Sequence, residues 1–242
     1  MRTQLIAMAG LLLAGCAHSP SYDPQDPLEP VNRKVYAFNL KVDEYVAKPL
    51  AQGYVAATPV EFRTGIHNFL DNLVYVRVIA NDLLQAKFKR AGLDTTRFLM
   101  NTTFGLAGFL DPATMVGLER NNEDFGQTLG YWGVGPGWYL MLPFLGPSTN
   151  RDLVGSGGDY FTNPLLYADL HDRAELGYQG VRLVDLRSGL LGSEGLLEQQ
   201  LDPYVFVRGL YLQRRQSLVY DGNPPPEDDF DDDEDEGDGK SG

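Results

Sequence analysis

The chain has 242 residues, of which 43% are hydrophobic and 22% charged, and its formal net charge is −13 at pH 7. This length suits one large domain or two small ones, and because no Gly/Ser linker divides the body of the chain, one domain is expected. The single cysteine excludes a disulfide within the chain, and a chain with this acidic balance is not expected to bind nucleic acid.

The N-terminal residues MRTQLIAMAGLLLAGCAHS have the pattern of a secretory signal. One early cation, Arg2, precedes an apolar run from Leu5 to Ala14, which is too short to span a bilayer as a helix. The run ends in Leu-Ala-Gly before Cys16 and so resembles the bacterial lipobox. Residues 1–15 are therefore predicted to be a lipoprotein signal peptide that is removed.

Cys16 is predicted to become an acylated first residue that carries a diacylglyceryl group and an N-acyl group. Several acyl chains hold a protein far more firmly than one, since each buried methylene contributes about 0.8 kcal/mol. Ala17, rather than aspartate, follows the cysteine, and the rules known for lipoproteins then favour the outer membrane. No other cofactor and no metal is expected.

Residues 16–30 are interpreted as a lipidated linker and residues 31–222 as one helical domain. An apolar stripe at steps of three and four predicts an amphipathic helix at the start of this domain; its members are Val31, Val35, Phe38, Val42 and Tyr45. Thr58-Pro59-Val60-Glu61 then matches a capping box with proline at the first helical position. The stripe resumes from Phe62 to Leu83, which predicts one long helix, or two with a break near Asn72.

Three further boundaries are predicted along the chain. Gly92 is expected to end the segment above, and Asp94 to cap the next helix. HDRAELGYQGVRLVDLRSGLL predicts another helix, and Asp202-Pro203 marks the start of the last one. The predicted fold class is mainly α, with irregular Gly/Pro-rich connections that allow a short hairpin.

The stretch GYWGVGPGWYLMLPFLGPS, from Gly130 to Ser148, contains both tryptophans of the chain. A phosphate-binding loop is one interpretation, but the glycine spacing of a dinucleotide loop, a preceding strand and a Gly-Lys-Ser/Thr sequence are all missing. Its prolines exclude a continuous helix. Two interpretations stay open for its aromatic side chains: packing in a core, or contact with lipid.

A search for catalytic groups gives no site. His18, His67 and His171 are the only histidines, and no metal-binding, nucleophile-elbow or redox motif is present. The many carboxylates, for example Glu119, Glu123, Asp124 and Asp152, are interpreted as solvated charges and helix caps, because no pair is singled out by the sequence. The chain is therefore not expected to be an enzyme.

The C-terminal residues 223–242 are predicted to form a disordered acidic tail, with ten carboxylates and one lysine. Such a run cannot bury enough apolar surface to order itself. It is either a solubilising spacer or a tether for a basic partner. An EF-hand is not expected, because Glu234 stands where the calcium loop requires glycine.

Four segments together resemble the MlaA/VacJ family of outer-membrane lipoproteins. They are DPLEPVNRKVYAFN, RFLMNTTFGLAGFLDPA, FGQTLGYWGVGPGWYLMLPFLGPSTNRD and SEGLLEQQLDPYVFVRGLYLQRR, in this order between Asp26 and Arg215. The resemblance implies a ring-like, mainly helical, monotopic protein embedded in the periplasmic leaflet of the outer membrane. The acidic tail has no counterpart in that resemblance.

The function that the resemblance implies is removal of mislocalised phospholipids from the outer leaflet through an amphipathic pore, which maintains outer-membrane lipid asymmetry. The implied partners are phospholipids, outer-membrane porin trimers and the periplasmic lipid carrier MlaC. The alternative is a structural porin-associated lipoprotein that transports no lipid.

Candidate residues for the pore come from the family resemblance and from the chemistry of the side chains. Arginine suits bidentate phosphate contact, asparagine and aspartate suit a polar wall, and the segment from Phe125 to Asp152 is predicted to line or gate the pore. The candidates are Asn32, Arg33, Phe38, Asn39, Trp132, Gly133, Gly135, Gly137, Trp138, Phe144, Arg151 and Asp152.

Overall fold

The computed structural model describes residues 23–162 and 172–225. The predicted signal peptide, the acylated Cys16, His18, His171 and the tail beyond residue 225 lie outside the described residues.

The described chain is mainly helical, as predicted. Its helices are α1 (Glu29–Val42), α2 (Lys48–Ala57), α3 (Val60–Leu84), α4 (Phe88–Phe104), α5 (Pro112–Met115), α6 (Phe125–Tyr131), α7 (Asn150–Thr162), α8 (Asp172–Ser188), α9 (Glu194–Glu198) and α10 (Pro203–Val219). Two short strands, β1 (Tyr139–Leu142) and β2 (Gly146–Thr149), lie between α6 and α7.

The amphipathic helix predicted at the start of the domain is confirmed as α1. Pro30 and Glu29 occupy its first turn and Lys41 its last, positions that suit proline and complement the helix dipole. A π-helical turn (Asp43–Ala47) connects α1 directly to α2. Because Pro49 in the first turn of α2 has no N–H to donate to the preceding turn, the wider turn lets the helix continue.

Three predicted boundaries, at Thr58, Gly92 and Asp94, are wrong. Thr58 is extended at the end of α2 and its side chain does not cap α3, whose preceding residue is Pro59. Of the two alternatives predicted for the stripe from Phe62 to Leu83, the single long helix is confirmed, since α3 runs unbroken from Val60 to Leu84. Asp94 is no cap, because α4 begins at Phe88 and continues through Gly92, so that tertiary packing overrides the intrinsic cost of glycine in a helix, about 1 kcal/mol.

The predicted start of the last helix is confirmed. The Asp202 side chain accepts hydrogen bonds from the backbone N–H groups of Tyr204 and Val205, at 3.0 and 3.2 Å. Pro203 then fills the first turn, where no donor is needed.

The two strands form an antiparallel hairpin in which Tyr139 pairs with Thr149 and Leu142 with Gly146. This confirms that the Gly/Pro-rich connection contains a short hairpin. A two-stranded hairpin is not stable by itself, and here α1 supports it. The Asn32 side chain donates to the carbonyl oxygen of Tyr139 at 3.1 Å and accepts from Met141 N–H at 2.9 Å.

Asn39 repeats this clamp farther along the hairpin. Its amide donates to the carbonyl oxygen of Leu142 at 2.9 Å and accepts from the N–H of Phe144 at 2.8 Å. Seven residues of helix rise about 10.5 Å, and three residues of strand rise about 10 Å. The two asparagines therefore match the spacing of the backbone groups that they bind.

A buried apolar cluster holds the hairpin between α1 and α10. Tyr139, Met141 and Tyr204 are buried in it, and side chains of α1 and α10 pack around them. Tyr139 is in edge-to-face contact with Tyr204 at a centroid distance of 6.1 Å. Core packing is therefore the correct interpretation for Tyr139 and Met141, while Tyr131, Trp132, Trp138, Phe144 and Leu145 of the same stretch are exposed.

The described chain has an unusual distribution of polarity. Seventeen polar or charged residues are buried, against ten apolar ones, while thirty-eight large apolar side chains are exposed. Ordinary soluble domains show the opposite preference. Among the described residues, no helix has both the length and the apolar character needed to cross a bilayer.

Candidate functional site

The connection between α6 and β1, residues 132–138, is called the glycine loop below. It leaves α6 through Gly133 and reaches β1 through Gly137, and both have positive φ angles, of 89° and 68°. The N–H of Asn150 donates to the carbonyl oxygen of Trp138, and that of Arg151 donates to the carbonyl oxygen of Pro136, both at 3.1 Å. The first turn of α7 therefore fixes the end of the glycine loop.

A cavity of about 510 Å³ lies between the glycine loop and α10. Three glycines of the loop line one side, and Gly209, Leu212 and Val219 of α10 line the other. Arg151 and Arg215 supply the charged groups of its wall. This volume is within the range of small-molecule sites, roughly 300–1,000 Å³.

The two arginines belong to a cluster of buried ion pairs. Arg215 donates to both oxygens of Asp124, at 2.6 and 2.9 Å, and to Oδ1 of Asp152 at 2.8 Å. Nε of Arg151 donates to the same Oδ1 at 3.2 Å, while the Tyr211 hydroxyl donates to Oδ2 at 2.7 Å. Asp152 is therefore shared by two arginines and a tyrosine.

The charges in this cluster stabilise its carboxylates. Burial by itself raises the pKa of Asp124, but the hydrogen bonds and charge of Arg215 outweigh it and lower that pKa to about 2. Burial likewise acts against ionisation of Asp152, and Arg215 again holds its pKa below the usual value. Both aspartates are therefore ionised at neutral pH.

A second cavity, of about 280 Å³, lies on the other side of this cluster. Its lining includes Arg77 and Asp159 as well as Asp124, Asp152 and Arg215. Arg215 lines both cavities. The ion-pair cluster thus forms a polar partition between two cavities.

Five of the predicted pore residues line these two cavities. Gly133, Gly135, Gly137 and Arg151 line the larger cavity, and Asp152 lines the smaller one. They come together because α7 begins directly after the hairpin and points its first turn back at the glycine loop.

The other predicted polar residues are engaged elsewhere. Asn32 and Asn39 bind the backbone of the hairpin, as described above. Arg33 donates to both oxygens of Asp202, at 3.2 and 2.7 Å, and lies 4.5 Å from the ring centroid of Tyr204. In this structure these three side chains support the hairpin and the start of α10, and none of them lines the larger cavity.

The predicted aromatic residues lie on the outside of the described chain. Phe38 and Phe144 are in edge-to-face contact at 5.2 Å, which joins α1 to the tip of the hairpin. Trp132 is half-exposed and its indole N–H donates to the carbonyl oxygen of Leu84 at 3.2 Å. Trp138 is also half-exposed.

Sequence reasoning missed Arg215 and Tyr211 of the cluster. Arg215 and Asp124 are separated by 91 residues, so nothing local in the sequence marks them as partners. Both missed residues are on α10, and the only available signal was two polar, hydrogen-bonding side chains four residues apart on one helix face.

A second buried polar cluster lies between α3, α4 and the segment before α6. Asp82 is fully buried beside Asp94 and Glu123, and its Oδ2 has no hydrogen-bond donor within the described ranges. Burial, together with the hydrogen bond and negative charge of Asp94, raises the pKa of Asp82 to about 8. Asp82 is therefore mainly protonated at neutral pH. No metal-binding group of three ligands is found in residues 23–162 and 172–225.

Comparisons with known proteins agree on one family. A family model described as MlaA lipoprotein matches residues 24–218. The chain is 38% identical over 235 residues to the intermembrane phospholipid transport system lipoprotein MlaA of Escherichia coli (strain K12), with 94% of this chain and 92% of the relative covered. It is 34% identical over 232 residues to the protein of the same name from Haemophilus influenzae, with 92% and 93% covered.

One similar solved structure is described as "Structural basis for maintenance of bacterial outer membrane lipid asymmetry". It superposes with a TM-score of 0.73 at 37% sequence identity, and the match covers 80% of this chain and 98% of that chain.

Proposed function

The chain belongs to the MlaA lipoprotein family, and on this basis we propose that it removes mislocalised phospholipids from the outer leaflet of the outer membrane and so maintains lipid asymmetry. Phospholipids are its substrates and the outer membrane is its location. It hands the extracted lipids to a periplasmic carrier of the MlaC type.

The inverted polarity of the described chain is the observation that carries this proposal. Thirty-eight large apolar side chains are exposed while charged and amide groups fill the interior. A protein that lies in a lipid leaflet gains by presenting apolar side chains to acyl chains, and it must satisfy its polar groups internally. The polar interior then offers a path for a headgroup.

The anchor and the partners follow from the same proposal. The acyl groups on Cys16 hold the protein in the periplasmic leaflet, where it lies beside porin trimers. Its task is to move an intact lipid, so no bond is made or broken and no catalytic group is assigned.

Amine labelling on intact cells tests the function. In the native bacterium, a membrane-impermeant amine reagent measures phosphatidylethanolamine in the outer leaflet. Deletion of the gene is expected to raise this label, and the wild-type gene to restore it. A Cys16→Ala variant, which lacks the acylated residue, is expected to leave the label high.

An unchanged label after deletion would contradict the proposal. If the protein nevertheless copurified with porin trimers, the structural porin-associated role would be the better description.

A further inference from the structure

Arg151 has an incomplete set of hydrogen-bond partners. Only 8% of the residue is exposed, so its charged group has little contact with bulk water. Nε is bonded to Asp152, but Nη1 reaches only the carbonyl oxygen of Val134 at 3.5 Å, and Nη2 has no acceptor in the described part of the chain. Because Arg151 lines the cavity, its Nη2 group is free to donate to an acceptor that enters there.

The neighbouring charges leave the cavity side of Arg151 positive. Among the described residues, Asp152 is the one carboxylate bonded to Arg151, and it also neutralises Arg215 at a shorter distance, 2.8 Å against 3.2 Å. Arg151 also lies in the first turn of α7, where the helix dipole disfavours a cation and favours an anion. An anion in the cavity would satisfy both the arginine and the helix.

The chain makes room for this guanidinium. A Cβ at Gly130 would stand 3.0 Å from Nη1 of Arg151, so a larger residue there would displace the arginine. Leu212, Val219 and Val134 add apolar side chains to the lining of the same cavity. A cationic fork beside an apolar wall suits a phosphodiester that carries acyl chains.

We propose that the cavity between the glycine loop and α10 binds the phosphodiester of a phospholipid headgroup, with Arg151 as its direct ligand. This inference rests on the proposed function and adds to it the group of the lipid that is recognised. Two phosphate oxygens accept from the Nη1 and Nη2 groups of Arg151, and the glycerol end lies against Leu212 and Val219.

The test uses the full-length acylated protein in a maltoside detergent, which contains no phosphate. Trp132 and Trp138 flank the cavity-lining glycines and are the only tryptophans, so their emission reports binding. The main probe is dihexanoyl phosphatidylethanolamine. Dihexanoylglycerol lacks the phosphate, while inorganic phosphate and glycerophosphoethanolamine lack the tails.

The wild-type protein is expected to bind the short-chain phospholipid at least about tenfold more tightly than any of the other three probes. Equal affinity for dihexanoylglycerol would overturn the phosphate ligand. Equal affinity for inorganic phosphate or glycerophosphoethanolamine would show that the site takes soluble phosphates, which overturns the lipid part of the inference.

Two variants with matched controls localise the site. Arg151→Gln should weaken phospholipid binding at least about tenfold, because a charged hydrogen-bonding group is lost. Arg120→Gln, which removes a surface arginine bound to Asp71 and Asn68, should bind as the wild type does. Equal loss in both variants, or loss in neither, would overturn the assignment.

The Gly209→Leu variant tests whether phospholipid binding can be lost without unfolding of the protein. Gly209 lines the cavity inside α10, and a Cβ there would meet no atom within 4 Å, so leucine can fill the cavity while improving the helix. This variant should be at least as stable as the wild type and yet bind phospholipid poorly. Gly53→Leu in α2, equally open and outside the cavity, is the control and should bind normally.

Failure of this inference can be distinguished from failure of the proposed function. If phospholipid removal measured by amine labelling persists in Arg151→Gln and Gly209→Leu cells, the headgroup site is wrong and the function stands. If deletion of the gene leaves the label unchanged, the function itself is wrong.

Discussion

Gly126 and Gly155 touch where α6 crosses α7: a Cβ on Gly155 would stand 2.5 Å from the Cα of Gly126. The two helices can approach this closely because Gly155, which faces the backbone of α6, has no side chain. Since α6 leads into the glycine loop and α7 carries Arg151, this crossing sets the distance between two walls of the larger cavity.

Gly155→Ala should therefore lower the free energy of unfolding by roughly 2–3 kcal/mol, since the new methyl group must push the helices apart. Gly157→Ala is the control on the same helix, because a Cβ there meets no atom within 4 Å. It should be neutral or stabilising by up to about 1 kcal/mol. Urea denaturation in detergent measures both, and equal effects would contradict the role of the crossing.

Loss of Asn32 should cost more than loss of Asn39, although both clamp the hairpin. Asn32 is buried, so Asn32→Ala leaves the N–H of Met141 and the carbonyl oxygen of Tyr139 without partners or water. We expect a loss of about 3 kcal/mol, against about 1 kcal/mol for Asn39→Ala, where water can replace the side chain. Thermal unfolding of the two variants gives the comparison, and the reverse order would show that burial does not decide the cost.

Arg215→Gln should destabilise the protein by about 3 kcal/mol or more, because Asp124 and Asp152 would remain buried without their main cation. The Arg215→Met, Asp124→Leu double variant should lose less than the sum of the single changes, since it leaves no charge of the pair behind. A double-mutant cycle from urea denaturation checks this. Additive losses would mean that the two residues are independent.

Asp124 also predicts acid sensitivity. Its folded pKa of about 2 lies below the value of about 3.9 for an unfolded aspartate, so its contribution to stability is full above pH 4 and is lost as the pH falls toward 2. Asp124→Asn should flatten the fall in stability between pH 4 and pH 2. An equally steep fall in that variant would contradict the assignment.

Asp82 predicts the opposite dependence on pH. Its folded pKa of about 8 lies above the unfolded value, so the folded protein holds a proton that the unfolded chain releases, and this contribution is lost as the pH rises from about 4 to about 8. Asp82→Asn mimics the protonated side chain. The variant should become progressively more stable relative to the wild type over this range, by at most about 1.4 kcal/mol per pH unit.

The difference in stability between the wild type and the Asp82→Asn variant isolates the titration of interest from that of other groups. Groups that do not interact with Asp82 contribute equally to both proteins and cancel in the difference, whereas Asp94 interacts with Asp82, so the difference reports the titration of this pair. A stability difference that is constant between pH 5 and pH 9 would show that Asp82 is ionised in the folded protein.

Sequence signals that act within one helical turn predicted the fold well. Asp202 and Pro203 mark the start of α10 because cap and proline act locally, and the apolar stripe of α1 needs only the helical period. Asp94 has the chemistry of a cap but lies inside α4, where Tyr75 and Asn121 donate to its carboxylate. No local rule could place it there, because its partners come from other segments.

The candidate site was predictable in part for the same reason. Arg151 and the glycines of the loop are close in sequence. Because the nucleotide-binding motifs were excluded for this stretch, contact with lipid or packing in a core remained as its interpretations. Arg215 approaches from the last helix, so its ion pairs depend on how α10 packs against the hairpin. That packing depends in turn on Tyr139, a residue whose burial the sequence left open.

The asparagine clamp has an evolutionary consequence. One extra residue between Asn32 and Asn39 would turn the second amide about 100° around the helix and away from the hairpin. One residue gained or lost in β1 would reverse which face each side chain occupies. Insertions and deletions in this family should therefore be excluded from both intervals and accumulate outside them, which an alignment of its members can reveal without any experiment on the protein.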